Sequence, residues 1–488
     1  MLKQQTSFQL SPYAKLYDEL IPKDNFLRQL RELVDFTFVI DELEDKYCLD
    51  NGRNAECPIR MFKYLLLKQI YNMSDNDLVE RARYDLSFKY FLELAPEDEV
   101  IHSTSLTKFR RLRLDDKNLM DILIQKTVEI ALDHELLSSK KLIVDATHTN
   151  SRFHSKSATE YLQDKSKSLR KVVYSHDESM QDKFPAKPTT TDLDKEMTYN
   201  KELIDMIEAH PTLQHMPAVK QKTNLVKEVM EDVKEEMTYS SDPDARKGYK
   251  SADYSFLGYK THIAMSDERI ITAATVTTGE KSDANYLGDL ITKSKKNGMK
   301  FDAVIGDTAY SGKRNLKFSK ENNLRLVAKL HPVISNGTRT DETTFSFNKD
   351  AGMYVCPAGH IATRKGMKHR YSTTQNPQLK YFFDVEKCKV CPLREGCYRE
   401  GAKTKSYSVT IKSTEHVDQE AFQKTDEFKR LSALRYKIEA KNAELKNRHG
   451  YEKAITSGLF GMKIQGAATV FIVNMKRIIK LINQKEVK

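Results

Sequence analysis

Three hydrophobic textures alternate along the chain. Up to about residue 140 apolar positions recur at helical spacing, as in CPIRMFKYLLLKQIY. Ser74 with Asp77 reads as a capping box opening DNDLVERARYDLSFKYFLEL. In STSLTKFRRLRL, Phe109 and Leu112 stand at an i, i+3 spacing suited to a core, leaving Arg110, Arg111 and Arg113 to point elsewhere. Residues 1–140 are therefore expected to be all-α. Their basic face fits either a DNA-binding unit or an ordinary helical domain with a solvated surface.

A β texture follows. KLIVDATHTNSRF, residues 141–153, has a β-branched apolar run ending on Asp145, as a buried strand would. Residues 154–250 are rich in Lys, Asp, Glu, Ser and Thr, carry helical stretches such as KTNLVKEVMEDVKEEM, and read as a charged helical insert. Over residues 251–330 the β pattern returns: LGYKTHIAMSDERIITAATVTTG predicts a hairpin, SDANYLGDLITKSKKNGM a helix from Ser282 to Gly298, and FDAVIGDTAY a strand ending at Asp307. Residues 331–424 form a mixed, cysteine-bearing second insert with strand-like runs such as LKYFFDV. Residues 425–488 include FKRLSALRYKIEAKNAELKNRHG, a long helical stretch carrying Glu439. The longest apolar run, AATVFIV, is far short of the roughly 20 residues that cross a bilayer, so no membrane partner is expected.

Length and charge narrow the classes. At 488 residues the chain has room for several modules. Its 80 Lys and Arg against 69 Asp and Glu give a net charge of +11, which favours a polyanionic partner without specifying one. The N-terminal residues lack the apolar core of a secretory signal, so a cytoplasmic protein is expected. Six cysteines without such a signal argue for metal chemistry over disulfides.

Two aspartates closing strands and one glutamate on a later helix suit phosphoryl transfer. Carboxylates are hard ligands for Mg²⁺ or Mn²⁺, and two such ions about 4 Å apart stabilise the entering and leaving oxygens of an in-line displacement. On this order of elements, on DTAY (Asp307 to Tyr310), and on Arg435, Glu439 and Lys446, the chain resembles the bacterial insertion-sequence DDE transposases. Within them it is most similar to a subgroup with a D-x-G-Y motif at the second aspartate, where Ala309 stands for the glycine. That subgroup also has an Arg-Glu-Lys signature at the third carboxylate, where Ser432 stands for its tyrosine. Helical arithmetic puts Arg435, Glu439 and Lys446 on one side, four and seven residues apart.

The resemblance implies an α/β fold: an RNase H-like catalytic core, a mixed sheet with flanking helices, interrupted by the two inserts and preceded by the all-α domain. It implies catalytic, metal-binding roles for Asp145, Asp307 and Glu439, with two Mg²⁺ or Mn²⁺. Arg435 and Lys446 would hold phosphates, Tyr310 would stack on or hydrogen-bond to DNA, and His148 would contact a phosphate. It also favours the DNA-binding reading of Arg110, Arg111 and Arg113. The implied reaction is cleavage at the ends of a mobile element and strand transfer, on double-stranded DNA comprising terminal inverted repeats and target, by a homodimer. The alternatives are a nuclease without strand transfer and a non-catalytic DNA-binding descendant.

Cys388, Cys391 and Cys397 in CKVCPLREGC, with Cys356 in CPAGH, have the number and softness of ligands for a structural Zn²⁺, and His360 is a candidate replacement for one thiol. A similar cysteine-bearing insert in the resembled subgroup favours zinc. Cys48 and Cys57 lack such a pattern and are expected to pack.

Overall fold

The structure, a computed structural model, describes residues 11–47, 55–115, 117–154, 156–188, 192–232, 240–250, 254–331, 345–348, 351–368, 378–410 and 413–486. Cys48 lies outside the described residues. The N-terminal segment folds as short helices whose limits follow local chemistry. Pro58 occupies the first turn of Pro58–Tyr71, where its missing N–H costs nothing, and Asn72 ends that helix in the left-handed region (φ 51°). Ser74 caps Asp75–Tyr84 by accepting from Asp77 N at 3.1 Å. The run continues through a break at Asp85, which caps Leu86–Phe91. In Ser103–Arg113 the buried pair is Leu106 and Phe109, whereas Leu112 is 52% exposed. The core-facing assignment of Leu112 is thus corrected: the helix meets its neighbours along the i, i+3 line one turn earlier.

The central sheet is mixed. Its strands are β1 (Lys141–Asn150), β2 (Arg246–Tyr249), β3 (Ser255–Ser266), β4 (Ile271–Thr278), β5 (Ala303–Ile305) and β6 (Arg325–Val327). β1 runs antiparallel to β3 from Leu142↔Ser266 to Asn150↔Gly258, and β3 pairs antiparallel with β4 and, at its start, with β2. On its other side β1 pairs parallel with β5 through Lys141, Leu142 and Ile143 alone, and β5 pairs parallel with β6. Asp145 therefore does not end its strand, as the apolar run predicts. The twelve-residue β3 extends β1 to Asn150, and what stops before Asp145 is the ladder to β5.

Helices cover both faces. Ile143 and Ile263 point into a large cluster shared with the N-terminal helices and the Leu459–Glu486 helix, while Leu142, Val144 and Ala264 point into a second cluster with Leu287, Ile291 and Leu316. This mixed, two-faced sheet fits an RNase H-like core. The AATVFIV run lies inside the Leu459–Glu486 helix and is buried throughout by packing on Leu119–Asp133, Pro58–Tyr71 and the sheet. Among the described residues no helix is long and apolar enough to cross a membrane.

The segments between core elements have cores of their own. Ala158–His176, opened by a capping box of Ser157 and Glu160, packs with Leu193–Ala209 and Pro217–Asp232 around Leu162, Leu169, Leu203 and Val226. β7 (Ser346–Asn348) and β8 (Met353–Val355) form a hairpin beside a three-stranded sheet of β9 (Arg364–Lys368), β10 (Gln378–Phe383) and β11 (Lys405–Thr410). Tyr354, Tyr381 and Phe383 fill the space between them. The chain returns through the Thr414–Gln423 helix, where Gln419 Nε2 donates to Leu326 O (3.0 Å) and Ala328 O (2.8 Å), closing the outer edge of β6.

Asn474 performs a similar service at the opposite edge. Its Oδ1 accepts from Ile271 N (2.8 Å), and its Nδ2 donates to Ile271 O (2.8 Å) and Thr127 Oγ1 (2.9 Å), all without solvent. One side chain thus ties β4, the Leu119–Asp133 helix and the C-terminal helix together. Asn474→Ala strands these groups, and a loss of about 2–3 kcal/mol is expected. A lowered urea midpoint would show it; an unchanged midpoint would mean that water replaces the amide.

Candidate active site

Asp145 and Asp307 come together at the sheet edge that β5 vacates. Asp307 follows β5 by two residues and caps a short 3-10 turn, Thr308–Ser311, accepting from Ala309 N at 3.0 Å. Ala309 is not among the residues at positive φ, so this turn accepts an alanine where the resembled motif has glycine. Glycine matters one step earlier: a Cβ on Gly306 would lie 2.7 Å from the Tyr310 ring and 3.0 Å from Val144. Tyr310 is fully buried beneath the aspartates, its ring packed among Val144, Leu287 and Leu316 and its hydroxyl without a hydrogen-bond partner among the described residues. The expected stacking of Tyr310 on DNA is not available in this structure. The side chain is part of the floor because the 3-10 turn directs it into the core.

The third carboxylate arrives on Tyr436–His449, a helix ended by Gly450 in the left-handed region (φ 63°). It lies along the open edge of β1. Arg435, just before it, stands 3.5 Å from Glu439 Oε1, the i, i+4 pair that helical spacing predicts. Asn442 Nδ2 donates to Asp145 Oδ2 at 2.9 Å, and Lys446 Nζ lies 3.2 Å from His148 Nε2. Lys446 and His148 are thus neighbours. Burial, then Lys446, lowers the His148 pKa to about 4, so its ring is neutral beside the ammonium. A cleft of about 600 Å³ is lined by Asp307, Arg435, Tyr436 and Glu439, with Gly306 and Lys429 beside them.

The electrostatics of the cluster are those of anions short of cations. Burial raises Asp145 to about 6, opposed by Arg435 and reinforced by Asp307 and Asp283. Burial also raises Asp307, again opposed by Arg435 and reinforced by Asp283. Glu439 is largely exposed and paired to Arg435. Among the described residues no three His, Cys, Asp or Glu side chains stand close enough to hold a metal ion. The chemistry of the donors nevertheless suits one: hard oxygens, held together against their repulsion, gain most from a divalent cation.

Sequence reasoning missed Asp283, His262, Lys260 and Asn442. Asp283 receives Lys260 Nζ at 3.0 Å and lies 3.7 Å from His262 Nδ1. His262 is fully buried, stacks on Tyr286 at 4.1 Å between centroids, and shares a 3.1 Å hydrogen bond with Thr277 Oγ1. The available signal was Lys260 and His262 alternating inside an otherwise apolar strand, one face of β3 made polar. Asn442 carried none, since asparagine on a polar helix face is ordinary.

The remaining candidates stand elsewhere. Arg110 is bound to Asp75 at 3.1 Å, beside Lys68, and Arg113 donates to Lys46 O and covers the Tyr47 ring; both hold the helical unit together. Of the three arginines Arg111 is the exposed one. Cys356, Cys388, Cys391 and Cys397 are free thiols of the second insert, Cys356 and Cys388 packed against its core; burial and then Cys397 push Cys388 up, Lys405 opposing and Cys356 and Cys391 adding to it. His360 O accepts from Cys356 N at 2.8 Å in a turn completed by Gly359 at φ 81°. Cys57 packs against the large core.

Two family models match the chain. One, described as Transposase domain (DUF772), matches residues 15–112, and one described as Transposase DDE domain matches residues 355–479. The second span includes Arg435, Glu439, Lys446 and the four clustered cysteines; Asp145 and Asp307 lie outside both. No curated protein matches. The two matches support a DNA transposase of the insertion-sequence type, a class that acts on DNA and generally uses divalent metals.

The His262 environment yields a pH prediction. Burial, with Lys260 adding to it and Asp283 opposing, lowers its pKa to about 4 from an unfolded value of about 6.5. Between those values the unfolded chain binds a proton that the folded chain does not, so this residue's contribution to stability falls as pH drops from about 6.5 towards 4. The ring should be neutral at pH 5.5 by nitrogen NMR, and His262→Gln should flatten the acid loss of stability. A charged His262 at pH 5.5 would contradict this.

Proposed function

We propose that the chain is a DDE transposase, with an RNase H-like core, that cleaves DNA at the ends of its own mobile element and joins the freed 3′-OH to target DNA. The observation that carries the reading is the position of Arg435: it pairs with Glu439 and opposes the raised pKa of both Asp145 and Asp307, so one guanidinium relates all three carboxylates. Asp145, Asp307 and Glu439 would hold two Mg²⁺ or Mn²⁺, which supply stabilisation of the entering and leaving oxygens of an in-line displacement.

This chain's own residues do the rest. Asn442 holds Asp145 by its Oδ2, fixing the carboxylate's rotation and leaving its other oxygen for a ligand. Arg435 lines the cleft, where its guanidinium, paired with Glu439, would meet a phosphate. Lys446, with the neutral His148 beside it and no carboxylate ion-paired to it among the described residues, would offer an ammonium to the DNA backbone further along the helix. Asp283 adds a fourth negative charge whose partner is Lys260, keeping it from competing for Arg435.

The helical unit at the N-terminus presents Arg111 and contributes to recognising the element's ends, and the protein works as a homodimer because two ends are joined in one event. The cysteine-bearing insert would hold a structural Zn²⁺ through Cys356, Cys388, Cys391 and Cys397; the softness of the four thiols, three of which act electrostatically on Cys388, supports this. A nuclease lacking strand transfer would use the same carboxylates, and joining to a target duplex separates the two.

With a duplex carrying the element's terminal repeats, Asp145→Ala, Asp307→Ala and Glu439→Ala should each lower cleavage by at least about 100-fold while end binding persists, since each removes a ligand remote from the N-terminal helices. Wild-type cleavage by any one would remove that residue from the site. Freshly purified protein should also carry about one equivalent of zinc, released by the double change Cys388→Ser and Cys391→Ser. Zinc-free protein prepared without chelator would exclude the metal.

A further inference from the structure

The Tyr436–His449 helix is a ridge with a cleft on each side. One cleft is lined by Asp307, Arg435 and Glu439. The other, about 620 Å³, lies between this helix and Leu459–Glu486, and its charged lining is Arg269, Arg448, Lys476, Arg477 and Lys480 against a single carboxylate, Glu444. On the ridge Ala440 and Ala443 form its wall, small side chains three residues apart that let a bulky polyanion approach the helix, and Glu444, Asn447 and Arg448 continue the same face. Lys476 and Lys480 stand one turn apart on the facing helix.

Glu444 is already engaged. Its Oε2 lies 2.9 Å from Nζ of the buried Lys441 and 3.4 Å from Arg269. Among the ion pairs of the described residues none involves Arg448, Lys476 or Lys480, and Arg477 uses its Nε on the backbone oxygen of Glu268. Burial, and then the neighbouring guanidiniums of Arg448 and Arg269, lower the pKa of Lys476 and Arg477 respectively, against the pull of Glu444. Cations crowded this way repel one another in the free protein, and a run of phosphates removes that repulsion.

We propose that this second cleft binds the backbone of a DNA duplex, the target, across the back of the helix that carries Glu439. The inference rests on the transposase reading for the identity of the duplex. The lining supplies ammonium and guanidinium groups and one amide, the chemistry of phosphate contact without base readout, so binding here is independent of sequence. The ridge is shared: Ala440, which lines this cleft, is the neighbour of Glu439 in the same helix.

The test uses the full chain, a random-sequence duplex and no divalent cation, so that it depends on neither element ends nor cleavage. Arg448 and Lys480 are both exposed, and the double change Arg448→Ala with Lys480→Ala should leave the urea midpoint unaltered. The slope of log K against log salt should become shallower by about 2, one for each lost phosphate contact, with affinity at low salt reduced by at least about 10-fold. Lys171→Ala, equally exposed on the Ala158–His176 helix, serves as the control and should leave the slope unaltered. A wild-type slope in the double variant, an equal loss in the control, or no duplex binding by the wild type would each overturn the proposal. Binding that depends on Arg448 and Lys480 in a protein that never cleaves element ends would instead remove the transposase reading and keep this surface.

Discussion

The site depends on a mismatch in strand length. β1 has nine residues paired with β3 and only three with β5, so beyond Ile143 its second edge is open. An open edge inside a protein must be covered, because its backbone groups and side chains otherwise face a void or water. The covering here is the Tyr436–His449 helix and the residues after it: Asn442 meets Asp145, Lys446 meets His148, and Asn150 N donates to Glu452 O at 2.8 Å while Ala454 N donates back to Asn150 O. The same gap that exposes Asp145 is what brings in the segment bearing Glu439. Had β5 continued for the length of β1, the three carboxylates would have had no common side to meet on.

Electrostatically the cluster is held by the fold against its own preference. Asp145 and Asp307 are half-buried near each other and near Asp283, and each is raised by burial and by like charge, with Arg435 the principal opposing cation. That arrangement costs stability in the free protein, and packing beneath it makes up the difference: Tyr310 fills the floor, Gly306 leaves room for the ring, and Val144 closes the side.

The N-terminal helices share a core with the catalytic sheet. Leu119–Asp133 packs on β4 and on the C-terminal helix, Pro58–Tyr71 packs on that same helix, and one hydrophobic cluster runs from Leu27 to Ile478. A helical unit fused this way cannot swing freely as a tethered reader would. On the proposed reading, DNA held by this unit would stand in a fixed relation to the three carboxylates.

Local chemistry determined much of this from sequence alone. Ser74, Pro58 and Gly450 fix helix ends wherever they occur, the hairpin around SDER follows from two alternating runs and a polar turn, and the Arg435–Glu439 pair follows from helical spacing. Asp145 and Asp307 were legible as acids embedded in apolar strand patterns. Tertiary structure decided what those patterns could not carry. Tyr310 belongs to the floor because a 3-10 turn aims it inward, and Leu112 is exposed because its neighbours meet the helix one turn earlier. Arg110 and Arg113 are structural because Asp75 and Lys46 stand opposite them, and Asn442 and Asp283 join the site only through contacts spanning 297 residues or the charge of a distant strand. Propensity, capping and periodicity act over a few residues and survive translation into sequence. The partner of a polar side chain is set by which elements pack together, and that depends on the whole chain at once.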